Sequence, residues 1–65
     1  SKEIYDKVDM LSEFPKIGYI YKIKDKREIR ILLYGHYRIA YLIEEKLISI
    51  LGVFHGALEI ERYLK

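Results

Sequence analysis

The chain contains no cysteine. Disulfide bonds and thiolate zinc sites are therefore excluded, which is compatible with a reducing cytoplasm. Proline occurs once, at Pro15. No apolar run approaches the roughly 20 residues that a bilayer-spanning helix needs, and the polar N-terminal stretch does not read as a signal peptide. The expected location is cytoplasmic, with no membrane contact. Charge of one sign is also scarce in excess. Twelve Lys and Arg oppose ten Asp and Glu, for a net charge of +2. That permits an anionic partner without requiring one. There is no phosphate-binding loop and no nucleophile elbow. The histidines and carboxylates lack metal-ligand spacing, so neither a metal nor a cofactor is expected.

What is present is a hydrophobic fraction of 51% in 65 residues. That argues against disorder and for one small domain. A domain this short buries only roughly 60% of its unfolded surface, which places it near the lower limit for a self-sufficient core. No internal repeat, linker or low-complexity segment interrupts it.

Lys2–Phe14 reads as a helix. Ile4, Val8 and Leu11 recur at helical spacing beside Tyr5, while Glu3, Asp6, Lys7 and Asp9 are polar. Ser1 is a candidate cap, and Pro15 ends the helix because it pushes the preceding residue out of the helical region. Pro15-Lys16-Ile17-Gly18 is a turn. Strands are expected at Tyr19–Ile23, Glu28–Tyr34 and His36–Ile43, with a charged turn at Lys24-Asp25-Lys26-Arg27 and a tight turn at Gly35. After the short loop Glu44-Glu45-Lys46 comes Leu47–His55, the longest apolar run and the expected central strand. Ala57–Leu64 returns to helical periodicity. The expected class is α+β: an antiparallel four-stranded sheet, an N-terminal helix packed on one face and a short C-terminal helix.

The run His36–Ile43 alternates with period two. Tyr37, Ile39, Tyr41 and Ile43 share one face, and His36, Arg38, Ala40 and Leu42 the other, as in a half-buried strand. An arginine inside such a strand needs a partner if it is buried. Arg38 either holds an anion, such as a phosphate or a partner's carboxylate, or makes a cross-strand ion pair with Glu28 or another acid. Lys22, Lys24, Lys26, Arg27, Arg30 and Arg38 are interleaved with Tyr21, Tyr34, Tyr37 and Tyr41. A sheet face of that kind can hold phosphates and stack bases, or simply be solvated. His55 is a candidate acid or base, or a strand-end histidine satisfied by backbone. His36 makes a weaker case. Tyr63 either reaches back over the sheet or caps the core.

Taken in order, these segments resemble the RelE/ParE toxins of bacterial and archaeal toxin–antitoxin systems. The shared pattern is a helix ending in a Pro-x-x-Gly turn (Pro15, Gly18), then Gly35 and a Tyr-Arg-Ile-x-Tyr strand (Tyr37, Arg38, Ile39, Tyr41). An apolar strand ending in Val-x-His-Gly follows (Val53, His55, Gly56). The resemblance covers the chain from Ile4 onward and implies one toxin domain over residues 1–65. Members usually begin with a further strand and helix that this chain lacks. A fragment, a shortened relative or a degraded remnant would each read this way, and loss of that strand and helix would expose a sheet edge and an apolar face, so self-association or dependence on a partner is expected.

The resemblance implies a toxin that inhibits growth, stabilises a plasmid and is neutralised by a cognate antitoxin. ParE-like members bind DNA gyrase; RelE-like members cut messenger RNA on the ribosome. In the RelE-like case Arg38, His55 and Tyr63 would be catalytic, with Arg30 and Arg38 as phosphate or partner contacts. The arginine expected after the last strand is missing, since Gly56, Ala57 and Leu58 stand there. Tyr19 also stands where many ParE-like members have arginine after the Pro-x-x-Gly glycine. The pattern as a whole leans to the ParE-like branch. The alternatives are a ribosome-dependent endoribonuclease or an inactive shortened relative.

Overall fold

The computed structural model describes residues 2–64, with the side chains of residue 6 and residues 9–64. Helix α1 (Lys2–Glu13) leads into strands β1 (Tyr19–Lys24), β2 (Arg27–Tyr34), β3 (Tyr37–Glu44) and β4 (Leu47–Phe54), and α2 (Ala57–Tyr63) closes the chain. The α+β architecture expected from the sequence is the one observed. The expected cap at Ser1 and the stripe residues Ile4, Tyr5 and Val8 lie outside the described residues. Leu11, next on that stripe, is fully buried. The helix stops ahead of Pro15, and Phe14 N–H still donates to Met10 O at 2.9 Å.

Three hairpins join the strands, each through two residues: Asp25-Lys26, Gly35-His36 and Glu45-Lys46. Turns this tight demand backbone of the left-handed kind, because only that twist matches the flanking strands. Asp25 (φ 51°), Lys26 (φ 65°), Gly35 (φ 58°) and Glu45 (φ 55°) adopt it. The charged turn is thus two residues long, and Lys24 and Arg27 are a cross-strand pair within the sheet.

The hairpins make a meander, with strand order β1-β2-β3-β4. This corrects one expectation. The most apolar strand, β4, is not central but lies at an edge, because a two-residue hairpin makes β3 its neighbour and among the described residues no further strand pairs with it. The inner strands β2 and β3 carry the core. β3 is also more than half-buried, since Ile39, Ala40 and Tyr41 are all inaccessible although they alternate in direction.

Each helix covers one face. On the α1 face, Leu11 packs with Leu32, Ile39 and Tyr41, and with Ile43 and Ile48 at the margin. On the α2 face, Ile60 packs with Ile31, Ala40 and Phe54, with Leu51 and Leu64 at the margin. The register follows the same division: Leu32 pairs with Ile39, Ile31 with Ala40 and Arg38 with Phe54. Strand β1 is exposed along its whole length. It carries a bulge at Tyr21 together with Lys22 and Lys24, all features that discourage further pairing at an edge.

Candidate functional site

The sequence-derived candidates separate into two places. Arg30 and Tyr41 are direct cross-strand partners on β2 and β3, and both face α1. They hold the Pro15–Gly18 turn. Gly18 N–H donates to the Tyr41 hydroxyl (2.9 Å), which in turn donates to Pro15 O (2.7 Å). Arg30 Nη1 donates to Gly18 O at 2.6 Å and to Lys16 O at 3.1 Å. Its Nε donates to the Glu28 carboxylate, two residues along the same face. Both side chains of that pair are largely buried. The fit around Gly18 leaves no room for a side chain. A Cβ there would lie 2.7 Å from Ile31 O and 2.8 Å from the Tyr41 hydroxyl oxygen. Burial pushes the Tyr41 phenol above its ordinary pKa of 10.0, with the Glu28 carboxylate acting in the same direction. The Gly18 N–H and the Arg30 guanidinium pull the other way. This clamp was not foreseen as a unit: Tyr41 was read as a strand residue of the family pattern and one aromatic of a base-stacking face, and Arg30 as an anion contact, whereas the Tyr41 side chain is fully buried.

The second place is the end of the sheet where β3 begins and β4 ends. Arg38 is half-buried on the α2 face. Its Nη1 lies 3.4 Å from the Tyr19 hydroxyl. The ion pair with Glu28 considered above does not form. Glu28 pairs with Ile43 on the α1 face, whereas Arg38 pairs with Leu33 and Phe54 on the other. The Tyr63 ring leans on Phe54, with centroids 5.3 Å apart, yet Tyr63 remains mostly exposed. Phe54 lies across Gly52, where a Cβ would come within 2.9 Å of the ring. Arg38 and Tyr63 therefore both neighbour Phe54.

His55 is elsewhere. Its ring meets the edge of Tyr37, with centroids 5.5 Å apart and planes at 70°. Tyr37 alternates with Arg38 and so faces the opposite side of the sheet. The His55 backbone N–H donates to Glu59 Oε2 at 2.9 Å, which fixes the entry into α2. His36 is exposed in the β2–β3 turn. Among the described residues no group of His, Cys, Asp or Glu is arranged to hold a metal ion. No helix among them is long and apolar enough to cross a membrane.

The family model for the ParE toxin of type II toxin–antitoxin system, parDE, matches residues 1–59. The chain belongs to the ParE toxin family. No curated protein and no solved structure matches it. Membership makes it a toxin of the type II toxin–antitoxin class and implies an antitoxin partner. The matched span includes the Pro15–Gly18 turn, its clamp and the Arg38–Phe54 end of the sheet, and it stops short of Tyr63.

Proposed function

We propose that this ParE-family toxin inhibits growth by binding DNA gyrase, and that its cognate antitoxin neutralises it in the cytoplasm. The observation that carries this reading is the dispersal of the residues a nuclease would need. Cleavage of a phosphodiester requires the phosphate clamp and the acid or base to converge on one group within hydrogen-bond reach. Arg38 faces the α2 side, the His55 ring rests on Tyr37 on the other side, and Arg30 is occupied by Glu28 and two turn carbonyls. A surface that works by binding needs no such convergence. Arg38, Tyr19 and Tyr63 are well placed for protein contact, since arginine and tyrosine carry much of the energy in protein interfaces.

A gyrase supercoiling assay with the purified chain tests this directly. The expected result is inhibition that is relieved by the antitoxin, and absence of inhibition overturns the reading. Mapping of transcripts after induction is the complementary test. Cuts within codons that disappear in Arg38→Ala would establish ribosome-dependent endoribonuclease action instead. Neither inhibition, cleavage nor growth arrest would mark an inactive relative. Sedimentation of the purified toxin at micromolar concentration reports whether it self-associates, as its apolar edge strand β4 supports.

A further inference from the structure

Four large apolar side chains stay exposed along one stretch of the chain. Phe14, Ile17, Ile20 and Ile23 recur at every third position. The register brings them together. Tyr21 is the bulged residue of β1, so Ile20 stands opposite Arg30 and Ile23 opposite Glu28, both on the α1 face. In a strand without a bulge, residues three apart would point to opposite faces. Arg30 donates to Lys16 O and Gly18 O, which sets Ile20 beside the Pro15–Gly18 turn. There Phe14, Pro15 and Ile17 bound an open hollow of about 530 Å³. An apolar stripe thus runs from the turn along the outer strand.

The turn end of the stripe is held in one shape. Ile17 N–H donates to Phe14 O at 3.1 Å around Pro15. The Tyr41 hydroxyl and the Arg30 guanidinium take the carbonyls of Pro15, Lys16 and Gly18. Anchors fixed in this way lose little conformational freedom on binding. Charge around the stripe is balanced. Glu13 and Lys16 flank the hollow with opposite signs, Glu28 and Arg30 pair with each other, and Lys22 and Lys24 lie on the opposite face. Nucleic acids and anionic lipids call for an excess of cations, which this surface does not have. Extension of the sheet by a partner strand is opposed by the bulge. What remains is side-chain contact with an apolar protein surface.

We infer that this stripe is the surface by which the toxin grips the protein whose inhibition arrests growth, with an uncharged aliphatic or aromatic side chain of that protein entering the hollow. The inference rests on the reading that the toxin acts by binding a protein target. A second copy is a poorer occupant. Four half-exposed side chains offer on the order of 400 Å² per copy, about half of the roughly 800 Å² that each partner of a stable complex buries. A larger target surrounds the same anchors with further contact, and a few central anchors carry most of the energy of such an interface.

The test compares the unaltered chain with Phe14→Ala/Ile17→Ala. The control is Leu47→Ala/Leu58→Ala, which trims two exposed apolar side chains elsewhere. Growth arrest on induction, gyrase supercoiling with the purified chains and the thermal midpoint are read for each. Phe14→Ala/Ile17→Ala should lose arrest and inhibit gyrase at least about tenfold more weakly, with its midpoint held to within a few degrees. The control should arrest growth and inhibit like the unaltered chain. Unchanged arrest in the first variant, or equal loss in the control, overturns the surface. Methyl cross-saturation from gyrase to the unaltered chain needs no variant, so it decides the matter even where a midpoint falls. Transfer centred on Ile17, Ile20 and Ile23 is expected, and transfer centred on Leu33 and Leu58 overturns the surface. A dimer in sedimentation that Phe14→Ala/Ile17→Ala dissociates would make the occupant a second copy. Arrest by that variant that the antitoxin no longer relieves would make it the antitoxin, and retention of only the unaltered chain on phosphatidylcholine vesicles would make it a lipid surface. Each of these three results overturns the inference. Arrest that depends on Phe14 and Ile17 without gyrase inhibition by the unaltered chain keeps this surface and overturns the gyrase reading. Gyrase inhibition indifferent to both residues does the reverse.

Discussion

The hydroxyl of Tyr41 stands between the two ends of the Pro15–Gly18 turn, accepting from Gly18 N–H at 2.9 Å and donating to Pro15 O at 2.7 Å. One atom of β3 thus closes a turn that is 23 residues away along the chain. Tyr41→Phe keeps the ring but leaves a buried N–H without its acceptor. The expected cost is about 1–3 kcal/mol. For a domain this size that lowers the thermal midpoint by several degrees. Gly18→Ala is expected to be at least as costly, because its Cβ meets Ile31 O at 2.7 Å as well as the hydroxyl. Tyr41→Phe does not rescue it, since the carbonyl remains. Thermal denaturation of the two single variants and the double variant checks both statements.

The same hydroxyl predicts an alkaline limit. Burial raises the Tyr41 pKa in the folded state above its ordinary 10.0. The folded chain therefore holds the phenolic proton more tightly than the unfolded chain does. The associated stability is complete below pH 10.0 and is lost as the pH rises from there through the folded pKa. Denaturation midpoints measured across that range should fall more steeply for the unaltered chain than for Tyr41→Phe. Parallel slopes would contradict the assignment.

The division of side chains between faces was legible in the alternation of His36–Ile43. The fate of each face was not. An apolar face reads the same whether a helix covers it or a sheet edge leaves it open, so β3 passed for half-buried and β4 for central. The partner of Arg38 depended on one further quantity, the length of the β2–β3 turn. Two residues in that turn set Leu33 opposite Arg38, and Glu28, five residues before Leu33 on β2, falls on the other face. The Pro15–Gly18 turn was visible as a turn. Its clamp was hidden, because Arg30 and Tyr41 become neighbours only once the register is set.

The β1–β2 hairpin carries a correctable strain. Lys26 is exposed and sits at φ 65°, where a side chain other than glycine is disfavoured. Lys26→Gly should stabilise the fold by about 1 kcal/mol, after allowance for the freer unfolded chain. The turn becomes Asp-Gly, the pair that this hairpin geometry favours. Gly35→Ala makes the opposite change at φ 58° and should cost about as much. Urea denaturation of both variants should give shifts of opposite sign with unchanged slopes.

Arg30 separates folding from function. Its guanidinium satisfies Gly18 O, Lys16 O and the largely buried Glu28 carboxylate together. Arg30→Ala leaves that carboxylate uncompensated and frees the turn, at an expected cost of about 2–4 kcal/mol. A domain of this length holds only about 3–10 kcal/mol in total, so loss of toxicity in Arg30→Ala would report partial unfolding rather than a lost contact. Removing both members of the pair, as in Glu28→Gln/Arg30→Met, should restore part of the loss because no charge is then left buried alone. Arg38→Ala is the contrasting case. Its contact is a 3.4 Å approach to the exposed Tyr19 hydroxyl, and its removal should change stability by less than about 1 kcal/mol. Urea midpoints for the three variants, read beside growth arrest, distinguish the roles. Arg38→Ala should stay folded, so any loss of arrest it causes belongs to a functional contact of Arg38 rather than to folding, whereas Arg30→Ala should lose midpoint and arrest together.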